Sequence, residues 1–153
     1  MLDIGAGTGA WVRYLAPNAA KITAVEPSPA MIAVLRESLV AEGITNVEIV
    51  QAPWPGAAVE PHDFSLCSHA MYGSPDLPAF VERMEQATRC TCFLVLRAPA
   101  FDGVMAEAAR RVWGHPHDSP NFQVAYNVLL ELGIRPNVLF EGSGHWEPWT
   151  SAS

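Results

Sequence analysis

The sequence predicts an α/β fold, a three-layer α/β/α sandwich in which helices cover both faces of a mostly parallel sheet. Short apolar runs of strand length alternate with longer segments whose apolar residues recur at helical spacing, as in successive βαβ units. A glycine-rich turn, residues 5–9, joins the first predicted strand to the first predicted helix. An acidic residue, Glu26, ends the second strand about 20 residues later, a spacing typical of nucleotide-binding units. Together these observations indicate a Rossmann-like domain.

The first turn combines an acid with three alternating glycines. Gly5, Gly7 and Gly9 can adopt positive φ, and they leave the first backbone N–H groups of the next helix, residues 10–16, open to a ligand. Asp3 stands where a buried parallel strand usually carries an aliphatic residue. Its carboxylate therefore needs a cation or hydrogen-bond donors nearby.

The second strand, residues 21–25, leads through Glu26 into a long helix. The Glu26 carboxylate can accept two hydrogen bonds from ribose hydroxyls. Ser28 is a predicted N-cap, with Pro29 at the first helical position. The predicted apolar stripe of this helix, and the glycine at which it ends, are Met31, Val34, Leu35, Leu39 and Gly43.

Residues 3–9 (Asp-Ile-Gly-Ala-Gly-Thr-Gly) and 24–31 (Ala-Val-Glu-Pro-Ser-Pro-Ala-Met) resemble the first two motifs of the class I S-adenosylmethionine (SAM)-dependent methyltransferases. The resemblance covers most of the chain. It implies SAM as cofactor, with the glycine loop around its methionine part, Asp3 near its ammonium and Glu26 on its ribose. It also implies that Pro27 and Met31 pack near the sugar and adenine. The full set of expected cofactor residues is Asp3, Gly5, Ala6, Gly7, Gly9, Glu26, Pro27, Met31, Gln51, Ala52, Pro53, Trp54, Ser68 and His69.

Two other interpretations stay open. Residues 5–10 also fit the dinucleotide fingerprint G-x-G-x-x-A, which would indicate an NAD-dependent oxidoreductase. Asp3 favours SAM, because a carboxylate repels a pyrophosphate and attracts a cationic amino acid. The chain could also be a SAM-binding module without catalysis, or one that needs a partner.

The third strand, residues 47–51, is followed by a departure from the family pattern. An acidic residue commonly stands there in the family and meets the adenine amino group, whereas this chain has Gln51, Ala52, Pro53 and Trp54. Adenine recognition would then depend on backbone groups, on the Gln51 amide or on packing. Trp54 could stack on adenine, or it could be a hydrophobic cap that closes the loop.

The fourth strand, residues 63–68, ends in Ser68 and His69. Parallel sheets bind ligands beyond the carboxyl ends of their strands, so Ser68, His69 and Tyr72 are expected beside the methyl donor. His69 is a candidate general base for an O–H or N–H nucleophile, with Tyr72 as a second catalytic candidate. Alternatively, His69 packs on the cofactor. The Asn/Asp-Pro-Pro-Tyr/Phe motif of DNA and glutamine amino-methyltransferases is absent here, which disfavours N-methylation of amides or bases.

Further predicted elements are helices over residues 77–87, 104–113 and 121–132, and strands over residues 92–96 and 138–140. His115, His117 and Asp118 lie in a proline-flanked loop and could bind a metal. Because the sequence shows no further metal-ligating residue beside them, we predict no metal. We interpret the segment as a loop that faces the substrate.

Composition narrows the class of partner. The chain has 153 residues and a net charge of −7, and Lys21 is its only lysine. Duplex nucleic acid and anionic membrane surfaces need basic residues, so neither is predicted as a partner. Small-molecule and protein substrates both stay open on this ground, and of the two we predict a small-molecule acceptor. No apolar run reaches transmembrane length and no secretory signal is visible. Cys67 lies inside a predicted strand, and Cys90 and Cys92 stand where the next one opens, which indicates buried, reduced thiols in a cytoplasmic protein.

We expect residues 1–153 to form one SAM-binding domain. A complete class I domain has N-terminal cap helices and a seventh, antiparallel strand, and the sequence shows neither. Trp146 and Trp149 also lie in a loose tail. We therefore expect a chain truncated at one or both ends, or a domain completed by a homodimer partner or another chain.

Overall fold

A computed structural model describes residues 1–98, 104–114 and 121–139. The strands are β1 (Leu2–Ile4), β2 (Ile22–Val25), β3 (Val47–Val50), β4 (His62–Ser68) and β5 (Thr88–Val95). The helices are α1 (Ala10–Leu15), α2 (Pro29–Ala41), α3 (Leu77–Gln86), α4 (Val104–Trp113) and α5 (Phe122–Glu131). Short 3₁₀ turns span Ala16–Asn18 and Met71–Gly73.

The five strands form one parallel sheet in the order β3-β2-β1-β4-β5. Strand β1 is buried along its whole length and lies between β2 and β4. Ile4 is in register with Val25 and with Cys67, so β1, β2 and β4 end at the same edge of the sheet. The predicted parallel α/β architecture is confirmed.

Helices pack on both faces of this sheet. Adjacent residues of β2 belong to different core clusters, Ala24 to one and Val25 to the other, because successive strand residues point to opposite faces. The cluster that contains α1 and α2 includes Val12, Leu35, Leu39, Ile22 and Ala24. The cluster that contains α3 and α5 includes Phe80, Met84, Leu129, Leu2 and Ile4. The three-layer arrangement is therefore confirmed.

Helices α2 and α3 each begin with a side-chain cap. Ser28 Oγ accepts a hydrogen bond from the Met31 N–H at 3.4 Å at the start of α2. Asp76 Oδ1 accepts one from the Ala79 N–H at 3.0 Å at the start of α3. Both helices also carry proline in their first turn, where a missing N–H costs nothing.

The predicted apolar stripe of α2 is partly wrong. The structure buries Ile32, Leu35 and Leu39, whereas Met31 and Val34 are 45% and 44% exposed. Each helical residue turns by about 100°, so the buried face is set by Ile32 and excludes its neighbour Met31. Exposure leaves Met31 available to a ligand on the outside of the helix.

The predicted sixth strand is also wrong as far as the structure describes it. Val138 and Leu139 are in no strand, Leu139 is 89% exposed, and Phe140 lies outside the described residues. A short apolar run forms a strand only if a neighbouring strand pairs with it, and the sequence of the run does not specify that pairing.

The three cysteines are free thiols with different environments. Cys67 is buried as predicted, and burial raises the pKa of its thiol to about 12. Cys90 is exposed and Cys92 is half-buried, so the prediction of three buried thiols is wrong. Strand β5 is one of the two edge strands of the sheet in the described residues, and its first half is exposed from Arg89 to Thr91.

The metal-site candidates His115, His117 and Asp118, and the tail residues Trp146 and Trp149, lie outside the described residues. Among the helices that the structure describes, none has the length and apolar character needed to cross a bilayer.

Candidate functional site

The predicted cofactor residues follow the carboxyl ends of four neighbouring strands. The glycine loop follows β1, Glu26 follows β2, residues 51–54 follow β3, and His69 follows β4. The structure therefore brings them to one edge of the sheet, where parallel α/β folds bind their ligands. A cavity of about 810 Å³ opens elsewhere, beside Lys21, His62 and Asp63, and none of the predicted site residues lines it.

The glycine loop is fixed by its contacts with two other elements. The Gly5 and Ala6 N–H groups both donate to the Val25 carbonyl oxygen, at 2.8 and 3.0 Å. Gly5 has φ +74°, and a Cβ on it would lie 2.2 Å from the Cβ of Ala70. Glycine is required there both by the backbone angle and by the close approach of the segment after β4.

Glu26 joins this loop to the start of α2. Its side chain is buried, with Oε2 accepting the Gly7 N–H and Oε1 accepting the Ser28 N–H, each at 2.9 Å. One carboxylate thus fixes the position of both segments. The sequence predicted Ser28 as an N-cap but did not predict this second contact.

Asp3 is the buried acid beside the loop. It is 3% exposed, and its Oδ2 has no hydrogen-bond partner in the part of the chain that the structure describes. Burial and, to a smaller extent, the negative charge of Glu26 raise the pKa of Asp3 from its ordinary 3.8 to about 7. A buried carboxyl with an unpartnered oxygen fits a cation or an N–H donor.

Trp54 contacts helix α3. Its Nε1–H donates to the Phe80 carbonyl oxygen at 3.0 Å, and its ring meets the Phe80 ring edge-on with centroids 6.2 Å apart. The guanidinium of Arg83 lies 5.6 Å from the centre of the Trp54 ring. These contacts favour the packing interpretation of Trp54, while Gln51 and Pro53 beside it are exposed.

His69 is held in an unusual backbone conformation after β4. Its φ is +55°, and its N–H donates to the Val95 carbonyl oxygen at 3.0 Å, at the end of β5. The ring Nδ1 lies 2.8 Å from the Tyr72 hydroxyl, and the two rings stack with centroids 5.9 Å apart. The structure therefore brings together the two residues that the sequence named as catalytic candidates.

Sequence reasoning missed two residues of this site, Arg97 and Ala70. The Arg97 N–H donates to the Tyr72 hydroxyl oxygen at 2.7 Å, and its guanidinium lies 5.3 Å from the centre of the Tyr72 ring. Ala70 packs against Gly5. Arg97 could have been suspected because it lies two residues after the end of β5, and β5 ends at the same sheet edge, but the contact itself depends on strand order.

No group of three or more His, Cys, Asp or Glu side chains within residues 1–98, 104–114 and 121–139 could hold a metal ion.

Comparison with known proteins assigns the family. A family model described as "Methyltransferase domain" matches residues 1–91, which is more than half of the chain. The chain belongs to this methyltransferase domain family. SAM is the cofactor of the family.

Curated relatives match over shorter stretches. Malonyl-[acyl-carrier protein] O-methyltransferase of Serratia marcescens is 32% identical over 89 residues, which cover 58% of this chain and 34% of that protein. A probable ribosomal RNA small subunit methyltransferase A of Methanosphaera stadtmanae is 35% identical over 51 residues, 33% of this chain and 19% of that protein. The chain spans about a third or less of the length of these relatives.

Solved structures match over most of the chain. A SAM-dependent methyltransferase from Aquifex aeolicus has a TM-score of 0.66 at 18% identity and covers 88% of this chain and 71% of its own. The YcgJ protein from Bacillus subtilis has a TM-score of 0.65 at 21% identity, with 85% and 59% covered. At this identity the similarity establishes the shared fold.

Proposed function

We propose that the chain is the SAM-binding domain of a methyltransferase that acts on a small-molecule acceptor at the carboxyl edge of its sheet. When bound, SAM supplies a methyl group on a positively charged sulfur, so the donor is already activated. The protein then has to hold donor and acceptor in line and exclude water.

The observation that carries this proposal is the buried Asp3 carboxyl. Asp3 precedes the glycine loop by two residues, and its buried Oδ2 has no hydrogen-bond partner within the described residues. Burial, together with the charge of Glu26, raises its pKa to about 7. A cationic amino group placed there would favour the ionised carboxylate and satisfy its free oxygen. A pyrophosphate placed there would be repelled, which supports SAM over a dinucleotide.

Glu26 supports the ribose assignment. Each of its oxygens accepts one backbone N–H, and an ionised carboxylate offers about four lone-pair positions. Ribose hydroxyls can therefore donate to Glu26 without displacing Gly7 or Ser28. In this arrangement the same carboxylate shapes the loop and binds the sugar.

The segment expected to contact adenine lacks the acidic residue that the family commonly has after the third strand. We assign it to the exposed residues Pro27, Met31, Gln51 and Pro53 together with Ala52, and we assign Trp54 to support of this loop from α3. Ser68 and His69 lie at the end of β4, where they would contact the methyl donor and the acceptor.

A small-molecule acceptor is supported by the names of two similar proteins. The Serratia marcescens relative is an O-methyltransferase of malonyl-[acyl-carrier protein], and one structural neighbour is a coclaurine N-methyltransferase bound to N-methylheliamine. Cytoplasmic location, and association with a second copy or a completing chain, stay predictions.

The test is the melting temperature with SAM, S-adenosylhomocysteine (SAH) and NAD measured side by side. A ligand at 100 times its Kd stabilises a domain by about 2.7 kcal/mol, a shift that is easily measured. We expect both adenosyl ligands to raise the melting temperature of the wild type, and Asp3→Ala and Glu26→Ala to abolish the effect. Asp63→Ala is the matched control, because Asp63 is an exposed acid away from the site.

A shift with NAD alone would contradict the proposal and favour the oxidoreductase interpretation. No shift with any of the three would show that the chain does not bind these cofactors by itself. An equal loss of the shift in Asp63→Ala would show that the site residues are not responsible.

A further inference from the structure

We propose that Tyr72 is a positioning residue that fixes the proton of His69 on Nε2, and that the acceptor bound against this Nε2–H is a carboxylate. The inference rests on the proposed function, since it assumes that His69 faces the acceptor. It adds a substrate class, and it assigns to His69 the role of a hydrogen-bond donor in place of a general base.

The proton assignment follows from the partners of the Tyr72 hydroxyl. A backbone N–H can only donate, so the 2.7 Å contact from Arg97 occupies a lone pair of the hydroxyl oxygen. The hydroxyl proton then needs an acceptor, and His69 Nδ1 lies 2.8 Å away. If Nδ1 carried the proton instead, the hydroxyl would accept from both Arg97 and His69, and its own proton could go only to solvent, because its two contacts in the described residues would both be donors. The arrangement in which all three groups are satisfied has Nδ1 as acceptor.

A neutral imidazole that accepts at Nδ1 carries its proton on Nε2. His69 is exposed, and its Nε2 has no hydrogen-bond partner within the residues that the structure describes. The Nε2–H can therefore donate a hydrogen bond to a molecule bound in the site. The stack on Tyr72 and the backbone contact with Val95 limit the positions that the ring can take.

This geometry selects the chemistry of the acceptor. An ammonium group must lose a proton before its nitrogen can attack, and an alcohol must lose one in the course of methyl transfer, and Nε2 cannot take that proton while it carries its own. A carboxylate is unprotonated at neutral pH and accepts a hydrogen bond from an N–H donor. One oxygen can therefore be held by His69, and no base is required of the protein.

The first experiment reads the position of the proton directly. Long-range ¹H–¹⁵N correlation spectra of ¹⁵N-histidine-labelled protein, recorded near pH 8 where a free histidine is neutral, distinguish the two tautomers. His69→Asn assigns the signal. We expect the Nε2–H tautomer in the wild type and a mixture of tautomers in Tyr72→Phe. Tyr14→Phe is the matched control, because Tyr14 is 73% exposed and contacts the Trp11 ring.

The second experiment tests the ligand class on the SAH-loaded protein, in which no turnover occurs. We expect acetate to shift the ¹⁵N resonance of His69 Nε2 in a saturable way in the same spectra, and ethylammonium to leave it unchanged. Tyr72→Phe should weaken the acetate response several-fold, and Tyr14→Phe should not.

An Nδ1–H tautomer in the wild type would overturn the inference, and that measurement does not depend on any Tyr72 variant folding. An unchanged tautomer in Tyr72→Phe, or equal responses to acetate and ethylammonium, would also overturn it. Failure of SAH to bind would contradict the proposed function instead, and the tautomer would still be readable in the free protein.

Discussion

The carboxylate of Glu26 accepts a hydrogen bond from the backbone N–H of Gly7 at 2.9 Å. The acid that ends the second strand therefore helps to hold the loop that follows the first strand. Its other oxygen holds the Ser28 N–H at the start of α2. The residue that the sequence assigned to ligand binding is also a structural residue, and the two roles can be separated by experiment.

Replacing Glu26 by glutamine should destabilise the fold. A glutamine side chain has one acceptor oxygen and one NH₂ donor. The backbone N–H of either Gly7 or Ser28 therefore loses its acceptor and faces the NH₂ group. A buried donor left unsatisfied costs about 1–3 kcal/mol. We expect Glu26→Gln to lower the free energy of unfolding by that amount in urea titrations. Glu37→Gln, at an exposed position of α2, should change it by less than about 0.5 kcal/mol. Equal effects of the two variants would contradict the structural role.

Asp3→Asn should stabilise the protein in a pH-dependent way. Because the pKa of Asp3 is raised from 3.8 to about 7, the folded state binds an extra proton between these values. The contribution of Asp3 to stability is therefore fully present below about pH 4 and is lost as the pH rises toward about 7. The advantage of asparagine should grow by up to about 1.4 kcal/mol per pH unit over that range and then stay constant.

The measurement is the free energy of unfolding of both proteins between about pH 4 and pH 8. Asp63→Asn, which removes an exposed acid paired with Arg89, should show no comparable trend. A constant difference between wild type and Asp3→Asn across the range would contradict the raised pKa. The same variant should lose SAH binding, so stability and affinity should change in opposite directions.

Gly5→Ala should be more damaging than Gly7→Ala. Both glycines have positive φ, which costs an alanine about 1–2 kcal/mol. A Cβ at Gly5 would also meet Ala70 at 2.2 Å, whereas one at Gly7 would meet nothing within 4 Å. Adding Ala70→Gly to Gly5→Ala should recover part of the lost stability. A double-mutant cycle in urea measures this coupling, and purely additive effects would show that the two segments do not pack as described.

Trp54→Phe should reduce stability but not cofactor affinity. The variant keeps an aromatic ring against Phe80 and loses the hydrogen bond from Nε1 to the Phe80 carbonyl, at a cost of about 0.5–1.5 kcal/mol. Trp11→Phe, on the exposed side of α1, is the control for a tryptophan replaced outside the core. A large rise in the Kd for SAH without a loss of stability would favour the alternative in which Trp54 stacks on adenine.

Local signals predicted most of the regular structure. Helix α3 begins at Leu77 after the cap Asp76, and α5 lies between Asn121 and Gly133, each within a residue or two of the prediction. Caps, prolines and glycines act over a few residues, so the sequence encodes them directly. Strand β5 begins at Thr88, four residues before the predicted start at Cys92, because its polar first half is an uncovered edge and carries no apolar pattern.

In the candidate site too, some features follow from the local sequence and others depend on the tertiary structure. The chemistry of Asp3, the glycines and Glu26 can be predicted from residue type and spacing, because the turn between a strand and a helix is local. The contact between Gly5 and Ala70 joins residues 65 positions apart, and the contact between Tyr72 and Arg97 joins residues 25 apart. Such contacts exist only because β1, β4 and β5 are neighbours in the sheet.

The sequence by itself determined the α/β class, the glycine loop, the acid at the end of the second strand and the family resemblance that follows from them. The tertiary structure decided the raised pKa of Asp3, the dual contacts of Glu26, the packing of Trp54 and the hydrogen-bond chain from Arg97 through Tyr72 to His69. The physical reason is that burial and long-range hydrogen bonds depend on which strands lie side by side, and a local pattern of residues does not specify that order.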